Sequence, residues 1–371
     1  MISKKIQPPA SQLLWVAIAI FAFSACQPKQ KTPVADTRII TDMAGRQVEI
    51  PKHIERAFID RHSVMMVYAV DTTLMVNRVF EYTETEKKYL KPSFYEGKPY
   101  VIEGVVEEII KLKPDVVIYS QFITTENIAE VNDLQEKIQL PVILLDMDII
   151  RYKEILAFLG DVLGKEEETN ELISFIQTHI DPILEKAKTI PQEQKKTIYY
   201  AEGMKGLQTD PSGSIHSLLI DLLGGINIAQ TDVLPGKGMS SVSLEQLYVW
   251  QPEIILVWSG NHDGLDSYKE IKANSAWNQL NAVKNNQVYQ VPWRPFGWID
   301  RPPGINRLIG LVWLSNLLYP EIYGEKDLTA ITQEFFQKFD HYEMTEDEAL
   351  ELLNPQPLIW DTDKELYLSL P

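Results

Sequence analysis

Two stretches of this chain, 138 residues apart, have nearly the same pattern. One begins at Glu107 (EEIIKLKPDVVIYS) and the other at Glu245 (EQLYVWQPEIILVWS). Each combines a short helical pattern, a proline seven residues after the glutamate, an acid and a β-branched run. Similarity over so long a distance indicates duplicated architecture rather than a short repeat array. The sequence therefore predicts two similar α/β lobes, and the cleft between such lobes is the expected place for a small ligand.

The N-terminus has the pattern of an export signal. Lys4 and Lys5 precede an apolar run of 13 residues ending at Ala25, which is too short to span a bilayer comfortably. The run ends directly before Cys26, the only cysteine of the chain, and the order Phe-Ser-Ala-Cys resembles a lipobox. We expect a lipoprotein signal peptide over residues 1–25, acylation of Cys26 and a polar tether over residues 26–35. The alternative is an incidental thiol in an ordinary signal peptide.

Composition and charge limit the class of partner. The chain is 45% hydrophobic and 23% charged, which is enough for buried cores in two lobes of ordinary size. Its net charge of −17 argues against nucleic acid as a partner, because a phosphate backbone would be repelled. The charge does not exclude an anionic ligand, since a few arginines can reverse the field inside a cleft. With one cysteine, the chain has no internal disulfide.

The first lobe is predicted over residues 36–150. A hairpin is expected over residues 38–51, followed by a strand at 54–60, a polar turn at 61–63 and a helix from Val64 to Val70. Further buried strands are expected at 116–119 and 140–146. Alternating strands and helices predict a parallel sheet, whose ligands lie at the carboxyl ends of the strands.

Residues 151–190 are predicted to connect the lobes. Apolar residues recur there at helical spacing, interrupted only near Gly160 and Gly164, so the segment forms one long helix or two in series. Such a connector would restrict the movement of one lobe relative to the other.

The second lobe is predicted over residues 191–320 and a helical tail over residues 321–371. We expect a strand at 196–203, a helix capped by Ser214, a strand at 287–291 and a helix from Ile305 to Pro320. The tail contains an acidic amphipathic pattern over residues 328–353.

Seven pieces in the right order resemble the substrate-binding proteins of iron-siderophore, haem and cobalamin ABC importers. They are DxxGRxVEIP, EEIIKLKPDVVI, LLIDLLGGINIA, SLEQLYVWQPEIILV, AVKNNQVYQVP, RPPGINRLIGLVWLSNLLYP and EFFQKFDHYEMTEDEALELL, which cover residues 36–353. The resemblance implies an α/β fold of two Rossmann-like lobes joined by a long backbone helix, with little closure on binding. It also implies a monomer without a cofactor or catalytic activity, tethered to a lipid membrane and partnered by ABC permease and ATPase subunits.

The resemblance gives the repeated acids a role. One surface glutamate from each lobe would meet the permease, and by motif position these are Glu107 and Glu245. Charge would then set orientation more than affinity. The alternative is an acid that stabilises its own helix N-terminus. Glu108, beside Glu107, is an equally exposed competitor.

Ligand-binding candidates follow the predicted strand ends and the late loop after residue 291. Aromatic rings and guanidinium groups suit an anionic or conjugated ligand, because rings stack and guanidinium groups pair with oxygens. Three of these side chains have an alternative structural role: Trp258 in the core, Arg301 paired with Asp300, and His62 as a helix cap. The candidates are Arg61, His62, Tyr119, Met204, Trp258, Arg294, Trp298 and Arg301.

The resemblance favours a ferric siderophore or another metal chelate as ligand. An oxyanion such as molybdate comes second, and cobalamin or haem third. A protein site for naked zinc or manganese is not expected, because the six histidines are scattered and no H-x-x-x-H spacing occurs. Two other classes stay open, a sensor lipoprotein that needs no permease and a secreted hydrolase. The sequence has no G-x-S-x-G, H-E-x-x-H or P-loop motif.

Overall fold

The structure of the chain is a computed structural model that describes residues 36–231, 239–258, 261–324, 326–354, 358–361 and 366–369. The predicted signal peptide, Cys26 and the tether lie outside these residues. Across the described ranges, no helix is both long and apolar enough to cross a membrane.

The first half of the chain alternates strands and helices, as the sequence predicts. Its central sheet has the order β3-β4-β5, and both pairings are parallel. The expected hairpin forms a separate two-stranded sheet. The elements in chain order are β1 (Thr37–Thr41), β2 (Gln47–Pro51), β3 (Ala57–Ile59), α1 (Val64–Val70), α2 (Glu84–Lys87), α3 (Pro92–Tyr95), α4 (Val106–Lys111), β4 (Val116–Gln121), α5 (Thr125–Ile138) and β5 (Val142–Asp146).

The segment between the halves contains two helices in series. The first, α6 (Tyr152–Leu163), ends at Gly164, whose φ of 65° is a left-handed conformation that glycine adopts without strain. The second combines α7 (Glu166–Phe175), a π-helical turn (Ile176–Ile180) and α8 (Asp181–Ala187). The π turn ends two residues before Pro182, which has no N–H to continue the regular ladder of backbone hydrogen bonds. Of the two arrangements that the sequence allows for this segment, the structure has two helices in series.

The second half repeats the architecture with a four-stranded sheet of order β11-β10-β6-β8, paired in parallel throughout. Both sheets are buried on their two faces, which accounts for the continuous apolar runs of their strands. The elements are β6 (Thr197–Ala201), β7 (Gln208–Thr209), α9 (Leu218–Leu222), β8 (Ile226–Asn227), β9 (Ser240–Ser241), α10 (Leu244–Trp250), β10 (Ile254–Val257), α11 (Asn261–Ala273), α12 (Asn281–Lys284) and β11 (Val288–Gln290).

The C-terminal helices pack against elements from both halves of the chain. Helix α15 contacts α1 of the first half, the connector helix α7 and helix α13. The Tyr68 hydroxyl of α1 donates a hydrogen bond of 2.9 Å to the backbone oxygen of Asp340, which follows α15. These elements are α13 (Arg307–Leu318), α14 (Pro320–Tyr323), α15 (Leu328–Phe339), α16 (Glu346–Leu353), β12 (Leu358–Asp361) and β13 (Leu366–Ser369).

The prediction that Ser214 caps a helix is wrong. Helix α9 begins at Leu218 and is preceded by Ser217. The Ser214 hydroxyl instead donates a hydrogen bond of 3.0 Å to Asp210, and the chain makes a tight turn between Ser214 and Ser217. A short polar side chain can satisfy a loop as readily as a helix end, so the residue type alone misplaced this boundary.

The loop over residues 293–303 lies tightly against helix α13. Gly310 is in the middle of that helix, and a Cβ atom there would overlap the carbonyl oxygen of Trp298. The Trp298 side chain is buried, and its indole N–H donates 3.2 Å to the backbone oxygen of Arg294. Close contact between this glycine and the loop backbone therefore fixes the loop.

We predict that Gly310→Ala destabilises the protein. Alanine ordinarily favours a helix interior over glycine by about 1 kcal/mol. Here the added methyl group would push the loop away, at a cost of roughly 1–3 kcal/mol. Thermal unfolding checks this, with Asn316→Ala, a partly exposed position in the same helix, as control. An unchanged or higher Tm for Gly310→Ala alone would contradict the predicted contact.

Candidate functional site

A cavity of about 530 Å³ lies where the two halves meet. The first half contributes the segment after β3 and residues 80–86, and the second half contributes His216, the end of β10 and the late loop. This is the place expected for parallel sheets, at the carboxyl ends of the strands. The lining residues are Arg61, His62, Phe80, Glu81, Tyr82, Glu86, His216, Trp258, Trp293, Pro295, Phe296, Gly297, Arg301, Pro302 and Pro303.

Each half supplies one histidine to the cavity, and each histidine has a buried carboxylate beside its Nδ1 atom. His62 Nδ1 lies 3.3 Å from Asp60 Oδ2, and His216 Nδ1 lies 3.3 Å from Asp300 Oδ2. Neither Nδ1 atom makes a well-formed hydrogen bond to its carboxylate, but the adjacent negative charge favours the tautomer with the proton on Nδ1. The lone pair of Nε2, across each ring, is then available to a ligand.

The two carboxylates are themselves held in place. Asp60 Oδ1 accepts hydrogen bonds from the backbone N–H of Ser63 at 3.0 Å and of Ser120 at 3.3 Å, as well as from the Ser63 hydroxyl. Asp300 Oδ1 accepts one from the Tyr200 hydroxyl at 2.8 Å. The turn after β3 and strands β4 and β6 thereby fix the two carboxylates that lie beside the histidines.

Arg301 is the centre of a buried charge network. Its guanidinium donates to Glu202 at 2.6 Å and to Asp210 at 2.6 Å, and it also contacts the carboxylate of Asp300. It lies over the Trp258 ring, 5.1 Å from the ring centroid. Burial opposes its charge, but the three carboxylates outweigh that effect and raise the pKa of Arg301.

Three carboxylates against one guanidinium leave the network with an excess of negative charge. Burial raises the pKa of Glu202 well above its usual value, and the charges of Asp300 and Asp210 raise it further against the opposing effect of Arg301. The side-chain ligand atoms of Asp210, His216 and Asp300 lie within 4.8 Å of one another, as in a metal site. Arg301 already binds both of these aspartates, so the guanidinium occupies that position.

The other charged groups of the cavity are also paired. Arg61 contacts the carboxylate of Glu103, and Glu81 contacts Arg78. Glu86 accepts a hydrogen bond from the backbone N–H of Thr83 at 2.7 Å, and burial raises its pKa. Among the described lining residues, both arginines therefore have carboxylate partners. The cavity is aromatic and mildly acidic rather than basic.

The structure brings together four of the eight predicted ligand-binding residues, Arg61, His62, Trp258 and Arg301. The possible pairing of Arg301 with Asp300 is confirmed. Sequence reasoning missed His216 and Tyr82, which also line the cavity, whereas Trp293 of the late loop, a further lining residue, lies where the sequence places ligand contacts. The loop holding His216 has no local signal of binding, and only the fold places it beside the late loop.

The other four candidates are not among the residues that line the cavity. Met204 is 61% exposed on the surface. Tyr119 is buried in the first sheet, where burial raises its pKa to about 12. Trp298 is buried against α13, and Arg294 pairs at 3.4 Å with Glu351 of α16. The loop turns these two side chains inward, away from the cavity.

The repeated glutamates lie on the surface, outside the cavity lining. Glu107 and Glu245 are exposed in the first turns of α4 and α10. Glu108 pairs with Lys111 at 2.5 Å, which distinguishes it from Glu107. A hydrogen bond from its own backbone N–H and one from Ser243 lower the pKa of Glu245. Its carboxylate is therefore ionised at neutral pH.

Comparison with known proteins matches the chain to extracytoplasmic solute-binding proteins. A family model described as periplasmic binding protein matches residues 60–295, more than half of the chain. The molybdate-binding protein MolA of Haemophilus influenzae is 26% identical over 326 residues, covering 81% of this chain and 90% of that protein. The iron(3+)-hydroxamate-binding protein FhuD of Bacillus subtilis is 27% identical, covering 69% and 79%. The two relatives are named for different ligands, which leaves the substrate of this chain open.

The solved structures support the two-lobe fold. An ABC transporter solute binding protein from Sulfurospirillum deleyianum superposes with a TM-score of 0.77 at 29% identity, covering 85% of this chain and 98% of that chain. The predicted fold class, two α/β lobes joined by a long helix, is confirmed, as is the prediction that the chain is not an enzyme.

We predict that Glu202→Gln weakens the pH dependence of stability. The unfolded chain loses the Glu202 proton near pH 4.5, whereas the folded chain retains it to higher pH. The contribution of Glu202 to the free energy of unfolding is therefore fully present below pH 4.5, and it is lost as the pH rises through the raised pKa of the folded chain. Glutamine does not titrate and still accepts from Arg301.

Denaturant unfolding between roughly pH 5 and pH 9 tests this, because the range lies above the ordinary carboxyl pKa. The wild type should lose stability relative to Glu202→Gln as pH rises. Glu107→Gln, an exposed glutamate, should follow the wild-type curve. Parallel curves for Glu202→Gln and wild type would contradict the raised pKa.

Proposed function

We propose that this chain, which belongs to the periplasmic binding protein family and is the solute-binding protein of an ABC importer, carries a metal chelate, with a ferric siderophore as the leading member of that class. The chelate would occupy the cavity between the lobes. His62 and His216 would complete the coordination of its metal, and the aromatic rings would contact the organic part. The siderophore specificity is our inference.

The two histidines, each with a carboxylate at Nδ1, are the observation that carries this proposal. Histidines that bind a metal commonly donate their other ring N–H to a carboxylate, which orients the ring and makes it a better ligand. Imidazole suits iron, copper, nickel and zinc. Two protein ligands require a chelate with open coordination positions, and a cavity of about 530 Å³ is in the size range of small-molecule sites.

The charges of the cavity favour a chelate over a free oxyanion. A tetrahedral oxyanion needs cationic donors, but Arg61 and Arg301 are both engaged by carboxylates. A metal centre instead gains from the negative charge of the surrounding groups. Molybdate stays the second candidate because the H. influenzae relative is named for binding it. Haem and cobalamin rank third as candidate ligands, and the titrations described below include them.

The anchoring of the protein is part of the same proposal. Residues 1–25 would be removed as a signal peptide, and acylated Cys26 would hold a monomer to the membrane through the tether of residues 26–35. Residues 36–150 and 191–320 would form the lobes, residues 151–190 the connector and residues 321–371 the tail. The partners of such proteins are the permease and ATPase subunits of the importer.

We predict that His62→Ala and His216→Ala each weaken binding of the ferric chelate by at least about tenfold. Asp60→Asn, which removes the carboxylate partner, should weaken it by roughly 10–100-fold. Tryptophan fluorescence titrations with ferric catecholate and hydroxamate chelates measure the affinity, and the visible absorption of the iron should shift only when both rings are present. His53→Ala, an exposed histidine, is the control.

The same titrations distinguish the alternatives. Haem, cobalamin and molybdate are added as separate ligands. Saturable binding of molybdate alone would reject the chelate in favour of the oxyanion. Binding of no ligand would reject transport of these solutes and favour a sensor.

We predict that Glu107→Ala combined with Glu245→Ala stops uptake and leaves ligand affinity unchanged. Both carboxylates are exposed and outside the cavity, so their loss affects only a partner that contacts both lobes. Uptake of radiolabelled ligand into cells measures the effect. Glu108→Ala is the matched control, because Glu108 pairs with Lys111. Normal uptake by the double variant would reject these glutamates as docking residues.

A further inference from the structure

The two repeated helices share a feature besides their glutamates. In α4, Ile110 lies three residues after Glu107 and is 45% exposed. In α10, Val249 lies four residues after Glu245 and is 82% exposed. Residues three or four apart lie on the same face of a helix. Each lobe therefore presents an acid and an aliphatic side chain together on its surface.

The packing of the two helices does not require an aliphatic side chain at position 110 or at position 249. Each helix already buries a different residue, Ile109 in α4 and Leu247 in α10, both 0% exposed. Nine large hydrophobic side chains are exposed among the described residues, and three of them lie in or directly before these two short helices, namely Val105, Ile110 and Val249. The two aliphatic residues are not equivalent in the repeat, since Ile110 corresponds to Tyr248. Single exposed apolar residues are ordinary, but an exposed aliphatic side chain on the glutamate face of both short helices is less common.

We infer that Glu107 with Ile110 and Glu245 with Val249 form two docking pairs, one on each lobe, and that the aliphatic members insert into apolar contacts on the importer's permease. This rests on the proposed docking of the glutamates. The occupant is the permease, because a surface with an acid and an aliphatic side chain on each of two similar lobes suits a partner built from two similar subunits. Exposed carboxylates opposite basic groups would set the orientation.

The two members of each pair act over different distances. Charges attract a partner before contact, so they govern the association rate and lose effect as salt screens them. Aliphatic groups act only on contact, so they govern the dissociation rate and are insensitive to moderate salt. The pairs therefore predict separable kinetic effects.

The test measures binding of the full mature chain to the permease–ATPase complex in nanodiscs at low and high salt. Ile110→Ser with Val249→Ser should raise the dissociation rate by about tenfold or more at both salt concentrations. Glu107→Gln with Glu245→Gln should lower the association rate at low salt and flatten its salt dependence. Ligand affinity and Tm should match wild type in both variants.

Ile150→Ser is the matched control, since Ile150 is 59% exposed outside both helices. An unchanged dissociation rate in the Ile110 and Val249 variant, with the wild type docking normally, would overturn the aliphatic contacts and leave the glutamates in place. A wild-type chain that does not dock would overturn the proposed transport role, and the docking pairs with it.

Discussion

The guanidinium of Arg301 is the group on which the site most depends. It joins the end of β6 through Glu202, the segment after β7 through Asp210, and the late loop through Asp300, while it covers Trp258 at the end of β10. A buried ion pair contributes little net stability, but a buried carboxylate that loses its partner is costly. With three carboxylates around one cation, the arginine is needed to keep these segments together. It also adopts a φ of 48°, which is uncommon for a residue with a side chain.

The network also determines what the cavity attracts. Because Arg301 is engaged on the protein side, the charge near the ligand comes from carboxylates and the polar character from His62 and His216. Asp300 belongs to both groups, since it contacts the guanidinium and lies beside His216 Nδ1. The structural network and the proposed ligand-binding group thus share one residue. Arg301, which the sequence suggests as a binding group for an anion, instead holds protein segments together through its three carboxylate partners.

The sequence predicts the fold better than the site. Strands β4 and β10 lie in the later parts of the two copies of the repeat, and their continuous apolar runs suffice to identify buried parallel strands. His62 and Trp258 could be found because they follow strands directly, and strand ends are where α/β proteins bind ligands. Trp298 and Arg294 could not be excluded, because whether a loop side chain turns inward depends on its contact with α13. His216 lies in a loop whose position depends on long-range packing.

The repeated helices α4 and α10 contribute no residue to the described cavity lining. The surface that an importer would recognise and the surface that a solute would contact are therefore encoded in different segments. Substitutions in the turn after β3, in the loop of His216 or in the late loop can change ligand preference while both helices stay the same. With docking as proposed, such a division would allow paralogous chains to diverge in cargo and still share one membrane complex, and that complex would coevolve with two short helices alone.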